Sequence, residues 1–443
     1  MEDFANGMRP SEVSVDDAVK TAIGLHRSGE LADAEILYRR ILEACPEQAE
    51  ALHFLGLLER QRGRSDEALA LMRKAILVAP DYGSAHNNLG NLLLERRDFD
   101  AARASLDAAF TLLPDDVLIL NNIGVAQRGS GDSEGARKTF ERAVELEPEF
   151  ALPFENLGRY YFMRGEIAVA HEYFCRAVVI DPALTTSNQF LGIALVRLGR
   201  IDDARDFYTK WSAHEPDNPV PPHMLATVSG EALPRRASDA YVRCVFDTFA
   251  SSFDQQLSRL EYRAPELLIE ALRGTGAAPE ARLDILDAGC GTGLCGKLLR
   301  PFARRLEGVD LSPRMLDRAR CTAAYDGIFE GELTAYLAAR IAEYDVVASA
   351  DTLCYFGDLA AVAIAAHGAL RAAGHFIFSV EARGGDAQPG YVLGESGRFA
   401  HSRAYLQEVL VGAGFESPQV RNDTLRMEAG TPVDGFVVVA RRR

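Results

Sequence analysis

The chain is short of lysine and of positive charge. Five lysines stand beside 43 arginines, and these 48 basic residues face 64 acidic ones, a formal net charge of −16. A field of that sign repels nucleic acid and anionic membrane, so neither is expected as a partner. The sequence also lacks any run of about 18 apolar residues, and its opening, MEDFANGMRPSEVSVDD, has neither a basic nor an apolar leader segment. The expectation is a soluble, cytoplasmic protein. Seven cysteines are scattered, odd in number and free of any C-x-x-C pair. That argues against a zinc site, a redox dithiol or a disulfide framework, and no metal is expected.

What is present suits ordinary globular domains: 48% hydrophobic residues, 25% charged, with Gly 37 and Pro 19 too few for collagen or Pro-rich disorder. A length of 443 residues implies two or three folding units.

The first half is periodic. Pro46, Pro80, Pro114, Pro148, Pro182 and Pro216 are each 34 residues apart. Gly56, Gly90, Gly124, Gly158 and Gly192 keep the same step, as do Gly29, Gly63, Gly131, Gly165 and Gly199, with Arg97 in the missing place. Alanines at 34, 68, 102, 136, 170 and 204 are each followed four residues on by Tyr38, Met72, Leu106, Phe140, Phe174 and Tyr208. Small residues permit close helix crossing, a glycine turns the chain between two helices, and proline ends the second. The pattern resembles the tetratricopeptide repeat in six copies. That resemblance implies an α-solenoid whose units bury their apolar faces against neighbours and which binds proteins or peptides. His223 to Val228 supplies a candidate capping helix.

Asn88, Asn122 and Asn156 share one repeat position. Such a column is similar to the asparagine ladders of the O-linked N-acetylglucosamine transferases, where amides grip a peptide backbone, because an amide donates and accepts at once. A solvated helix face is the plain alternative, and the column breaks at Phe54 and Phe190. The register is lost over GEALPRRASD (230–239), which divides the chain into an array over 13–230, a linker over 231–239 and a second domain over 240–443.

LDILDAGCGTG (283–293) reads as an apolar strand entering a glycine-rich turn, with an amphipathic helix from Leu294. Gly289, Gly291 and Gly293 let the backbone approach a nucleoside. Asp310 ends a second strand, where an acid can accept both ribose hydroxyls. Gly291, Gly293 and Gly296 also spell a literal G-x-G-x-x-G, so a nicotinamide dinucleotide has to be weighed. Against it stand Asp287, which makes the motif D-x-G-x-G-x-G, and a remainder of about 130 residues, too few for a second nucleotide half and a substrate domain.

Residues 240–443 resemble class I S-adenosylmethionine-dependent methyltransferases. The resemblance implies a Rossmann-like domain with a seven-stranded sheet, its later strands at IFEGEL, YDVVASAD, AGHFIFSVEA, Gln419–Met427 and Val433–Ala440. It implies that S-adenosyl-L-methionine is the cofactor, held by Asp287, Gly289, Cys290, Gly291, Gly293, Asp310, Leu311, Met315, Glu332 and Leu333. Met315 would pack on adenine and Glu332 approach its amino group. FDTFASSFD and LEYRAPELL resemble lid helices of small methyltransferases, with Tyr262 or Arg263 near the methionyl carboxylate; amphipathic packing explains them as well. Cys290 and Cys295 read as packing groups.

Methyl transfer from a sulfonium needs alignment and exclusion of water more than a dedicated base. Acceptor-side candidates are Asp351, Tyr355 and Phe356, then Arg398 and His401 in GRFAHS, with His401 a candidate base and otherwise a structural loop histidine. The two halves together look like the bacterial predicted methyltransferases that carry tetratricopeptide repeats. The expected function is a methyltransferase whose array recruits a protein or carrier-bound substrate. The alternatives are a small-molecule methyltransferase with repeats used for assembly, and a cofactor-binding scaffold without catalysis. Partner identity and oligomeric state are not legible.

Overall fold

The computed structural model of the chain describes residues 14–443 apart from 231–232, 251–252, 385–389 and 429–430. The leader reading over residues 1–13, the first two linker positions and the two serines of the proposed lid motif lie outside the described residues. The chain divides into two compact units, Met1–Asn188 and Gln189–Arg443.

Helices pair along the repeats: α1 (Val15–Arg27) with α2 (Leu31–Ala44), α3 (Ala49–Gln61) with α4 (Ser65–Val78), and α5 (Gly83–Glu95) with α6 (Phe99–Leu112). Next come α7 (Val117–Ser130) with α8 (Ser133–Leu146), and α9 (Ala151–Met163) with α10 (Ile167–Ile180). The division between units falls inside α11 (Thr185–Arg197), which precedes α12 (Ile201–His214). These six pairs form a tetratricopeptide-type array over 15–214.

The periodic residues have one steric explanation. A Cβ added at Gly56 would sit 3.0 Å from Met72, and at Gly90, Gly124 and Gly158 it would come within 2.5 to 2.7 Å of Leu106, Phe140 and Phe174. Each repeat glycine therefore makes room for the large buried residue on its own unit's second helix, and an added methyl would overpack the pair. The inter-helix turns take left-handed backbone at Gly29, Gly63, Gly131, Gly165 and Gly199, and Arg97 adopts the same conformation at φ 63°.

In the second unit α12 is followed by α13 (Val220–Ala226), α14 (Asp239–Phe249), α15 (Phe253–Arg259) and α16 (Ala264–Gly274). Then strands and helices alternate: β1 (Leu283–Ala288), α17 (Leu294–Leu299), β2 (Ala303–Asp310), α18 (Pro313–Cys321), β3 (Gly327–Glu330), α19 (Leu333–Ala338), β4 (Tyr344–Ser349), α20 (Ala360–Ala369) and β5 (Leu370–Ala382). Two short strands, β6 (Tyr391–Leu393) and β7 (Phe399–His401), precede α21 (Arg403–Gly412), β8 (Gln419–Glu428) and β9 (Thr431–Arg441).

The sheet runs β3-β2-β1-β4-β5-β9-β8, parallel except for β9, which lies antiparallel to both β5 and β8. Strands β1 and β4 are buried almost throughout, as a parallel sheet covered on both faces requires. The seven-stranded, Rossmann-like domain expected from sequence is present, with one addition. GRFAHS, read as a loop, contains β7, which pairs in parallel with the end of β5 and carries β6 on its far side. Strand order reverses between β1 and β4, so the carboxyl ends of β1, β2, β3 and β4 open onto one crevice.

The linker is also ordered beyond its first residues. Arg236 bridges Phe356, the Ala237 N–H donates to the Tyr355 carbonyl at 2.8 Å, and the Gly357 N–H donates to the Arg235 carbonyl at 2.8 Å. No described helix is long and apolar enough to cross a membrane.

Candidate cofactor site

A cavity of about 270 Å³ lies at the crevice in the second unit, bordered by Gly289, Cys290, Gly291, Asp310, Leu311, Glu332, Leu333, Tyr262, Asp351 and Tyr355. Separate loops thus bring sequence-predicted residues to one wall.

The turn after β1 is pinned to β2. The Gly289 and Cys290 N–H groups both donate to the Val309 carbonyl, at 2.8 and 3.0 Å. Gly289 and Gly291 take φ of 81° and 52°. A Cβ at Gly291 would meet only Phe253, at 3.9 Å, so it would project into the cavity and take space from a ligand. Asp310 accepts from the Gly291 N–H through Oδ2 and from the Ser312 N–H through Oδ1, both at 2.9 Å. Burial raises its pKa, opposed by those backbone donors. Glu332 caps α19, accepting from Thr334 and Ala335 N–H at 3.0 and 2.8 Å while bordering the cavity.

Several expected residues lie elsewhere. Met315 is fully buried on the first turn of α18 and does not border the cavity, which corrects its expected place against adenine; the helix turns it into the core. Gly293 caps α17 and backs onto Thr322 and Tyr325 instead of the cavity. Asp287 is 1% exposed and accepts from the Tyr325 hydroxyl at 2.6 Å, so in this structure it reaches the cavity only through its neighbours. His401 is 0% exposed, stacked on Tyr405, and its Nε2–H donates to the Gly357 carbonyl at 3.1 Å. Burial lowers its pKa to about 4. It is a structural histidine of β7, not a loop base. Arg263 likewise turns outward to Asp423 at 3.1 Å.

Gly296 resolves the literal G-x-G-x-x-G. A Cβ there would collide with the Tyr325 hydroxyl oxygen. The third glycine leaves room for a ring; it does not approach a second nucleotide.

The far end of the cavity holds a charge cluster that the sequence did not disclose. Asp351, just past β4, has left-handed backbone at φ 51°, a strained state for a non-glycine residue. Arg426 on β8, 4% exposed, donates to Asp351 at 2.6 Å, to Glu428 at 2.7 Å and to Glu381. Arg398 donates to Glu381 and Glu428, each at 2.5 Å. The Ser379 hydroxyl donates to Asp351 Oδ1 at 3.2 Å. Burial raises the Asp351 pKa against the pull of Arg426. The local sequence does not mark Arg426, because its neighbours two residues away on β8, Thr424 and Glu428, are polar as well.

α14 and α15 cover the cavity with Phe246, Phe249 and Phe253. Phe246 meets Tyr355 edge-on at 5.4 Å. The aspartate after each of two of these rings is latched to a loop below: Ser312 donates to Asp247 at 2.5 Å, and Thr292 donates to Asp254. Among the described residues no cluster of His, Cys, Asp or Glu has the makings of a metal site, and Cys290 and Cys295 are buried, with burial holding both thiols well above their usual pKa.

In the first unit the asparagines pair with one another and with their neighbours. Asn156 donates to Asn121 at 3.0 Å and accepts from Arg128 at 2.6 Å. Asn122 donates to Asn91 at 2.8 Å, and Asn88 lies 2.9 Å from His53, which contacts Tyr82 at 2.9 Å. Asn156 is buried, whereas Asn88 and Asn122 are half-buried.

The family described as a methyltransferase domain matches residues 286–378, and families described as tetratricopeptide repeat match 55–117, 121–184 and 190–208. The chain therefore carries tetratricopeptide repeats in its N-terminal half and a methyltransferase domain in its C-terminal half. It is 41% identical over 81 residues to methyltransferase-like protein 27 of Homo sapiens, covering 18% of this chain and 33% of that protein. It is 31% identical over 105 residues to malonyl-[acyl-carrier protein] O-methyltransferase of Erwinia pyrifoliae, covering 24% and 38%. The chain thus spans about a third of the length of the first of these curated relatives and 38% of the second. Among solved structures it is similar to PilF of Pseudomonas aeruginosa, at 19% identity and TM-score 0.42 over 46% of this chain and 92% of that one.

Proposed function

We propose that the C-terminal domain binds S-adenosylmethionine in this cavity and transfers its methyl group to an acceptor delivered by the repeat array. The observation that carries the reading is Asp310, which ends β2 at the cavity wall and holds its carboxylate against the glycine turn. In this reading Asp310 takes the ribose hydroxyls, the Gly289–Gly291 backbone faces the nucleoside, Leu311 and Leu333 flank adenine, and Glu332 meets its amino group. Asp287 and Gly293 support the turn from behind, and Tyr262 closes the cavity from the side of α16.

The bound cofactor supplies an activated sulfonium methyl. The chain's own part is to align, to dry the site and to handle a proton. Phe246, Phe249 and Phe253 exclude water. Asp351, oriented by Arg426 and Ser379, is the group placed to accept a proton from a hydroxyl or amine acceptor, and Tyr355 forms the adjoining wall. A relative named for methylating malonyl-acyl-carrier protein favours a protein-borne acceptor, as does a repeat array whose half-buried Asn88 and Asn122 remain the partner contacts proposed.

Calorimetry tests the first part: binding of S-adenosylmethionine and S-adenosylhomocysteine is expected, and heat with NAD alone would overturn it. Transfer of tritium from labelled S-adenosylmethionine into a lysate, followed by identification of the labelled molecule, tests the second. Label in a small metabolite would favour repeats used only for assembly, and binding without transfer to any acceptor would favour a scaffold.

A further inference from the structure

Tyr325 lies between α18 and β3, outside the cavity, and no part of the proposed transfer uses it. Its ring occupies a slot that exists because three residues have no side chain. A Cβ at Gly293 would approach the ring to 3.2 Å, at Gly308 on β2 to 3.0 Å, and at Gly296 on α17 would collide with its oxygen. Packing alone needs no hydroxyl, and a buried hydroxyl is costly unless paired. Here it donates to Asp287 at 2.6 Å, at the end of the strand that feeds the glycine turn. A short O–H···O⁻ bond of this kind stabilises the ionised acceptor.

We propose that Tyr325 is a positioning residue that holds Asp287 as a carboxylate, and that this buried negative charge makes the site prefer the cationic sulfonium cofactor to its neutral thioether product. The inference rests on the reading of the cavity as an S-adenosylmethionine site. S-Adenosylmethionine carries one more positive charge than S-adenosylhomocysteine and is otherwise nearly the same ligand. A fixed anion behind the turn, in a medium of low dielectric, acts on that difference without touching the ligand.

The charged surroundings leave Tyr325 as the main support. Burial raises the Asp287 pKa to about 7, with the Asp310 carboxylate adding to the rise and the Tyr325 hydroxyl opposing it. Cys290 and Cys295 also face Asp287, and burial keeps both thiols neutral; Arg320 bears on Cys290 and Glu266 on Cys295. No cation is paired with Asp287 among the described residues.

The test is calorimetry of both ligands on the full chain across pH 6 to 8. In the parent, affinity for the sulfonium relative to the thioether should rise with pH as the buried carboxylates near the cavity ionise, Asp310 and Asp351 among them, and the part due to Asp287 is the part that Asp287→Asn removes. Tyr325→Phe keeps the ring in its slot and removes only the donor. It should lower sulfonium affinity near pH 7 by roughly tenfold, leave thioether affinity within about twofold, and move the rise to higher pH. Asp287→Asn should abolish that part of the pH-dependent preference with Tyr325 intact. A Tyr325→Phe chain that melts normally and keeps the parental ratio and pH profile would overturn the proposal, as would equal loss of both affinities, which marks a merely structural tyrosine. If the parent binds neither ligand, the cavity assignment itself fails.

Discussion

His223 donates from Nε2 to the carbonyl oxygen of Gly397 at 2.9 Å, with its ring stacked 3.8 Å from that of Tyr241. His223 belongs to α13, which packs on α12, and Gly397 precedes Arg398, which borders the cavity. A Cβ at Gly397 would strike the Tyr241 hydroxyl at 2.5 Å, so the turn that precedes Arg398 is moulded on α14. His223→Ala should cost about 2 to 4 kcal/mol, since it opens a buried gap and strands a carbonyl. Chemical denaturation of the full chain measures it.

The same interactions bear on where the domains separate. Tyr208, Trp211, Val220, Met224 and Tyr241 share one core cluster. A fragment beginning at Gln189 should fold cooperatively, whereas one beginning at 235 leaves Tyr241 and its neighbours uncovered and should melt well below it. Equal melting of the two fragments would favour a boundary in the 231–239 segment.

Replacing Asp310 by alanine should weaken cofactor binding by about 1.5 to 3 kcal/mol for each charge-assisted hydrogen bond removed. It also takes away the acceptor for the Gly291 and Ser312 N–H groups, so Asp310→Asn, which keeps one acceptor oxygen, should be milder. Calorimetric affinities of the two variants, compared at equal folded fraction, separate direct ligand binding from disturbance of the turn.

The asparagines are expected to differ from one another. Asn156→Ala removes the acceptor that Arg128 uses there and the donor to Asn121, and should cost the array about 1 to 3 kcal/mol. Asn122→Ala removes the pair with Asn91 and a long bond from Asn121, on a half-buried side chain, and should cost about 1 kcal/mol. Melting curves of the single variants give this order; a partner pull-down with Asn88→Ala and Asn122→Ala then reports on recruitment without a large change in stability.

The repeats were legible because a 34-residue period imposes the same steric demand five times; Gly124 and Phe140 had to be read together. Asp310 and the glycine turn were legible because a parallel strand is an unbroken apolar run, and a polar residue at its end stands out. Met315 was misplaced because position along the chain does not say which way a helix turns its side chain, and GRFAHS was read as a loop because a three-residue strand is too short to show alternation. Arg426 was missed because its partners come from β5, β8 and the residues after β4, far apart in sequence. Tyr325 explains Gly296 only once the two are seen side by side.

Arg426 gives the sharpest test of the cavity's charged end. Almost fully buried, it is the link common to the carboxylates of Asp351, Glu381 and Glu428. Arg426→Met keeps much of the volume but leaves three acids with Arg398 as their remaining guanidinium, and breaking a buried charge network in this way costs about 3 to 5 kcal/mol. The sign of the pH effect follows. Without Arg426 the folded-state pKa values of Asp351 and Glu428 move up, and a raised acid contributes stability that is present below its unfolded pKa and lost as pH rises through the folded one. The gap in stability between variant and parent should therefore be widest near pH 8 and narrow toward pH 5. Adding Asp351→Asn and Glu428→Gln to Arg426→Met should close part of the gap at pH 8 and little of it at pH 5. Denaturant titrations of the full chain at both pH values decide the matter, and a gap independent of pH would mean that Arg426 acts through packing and not through its charge.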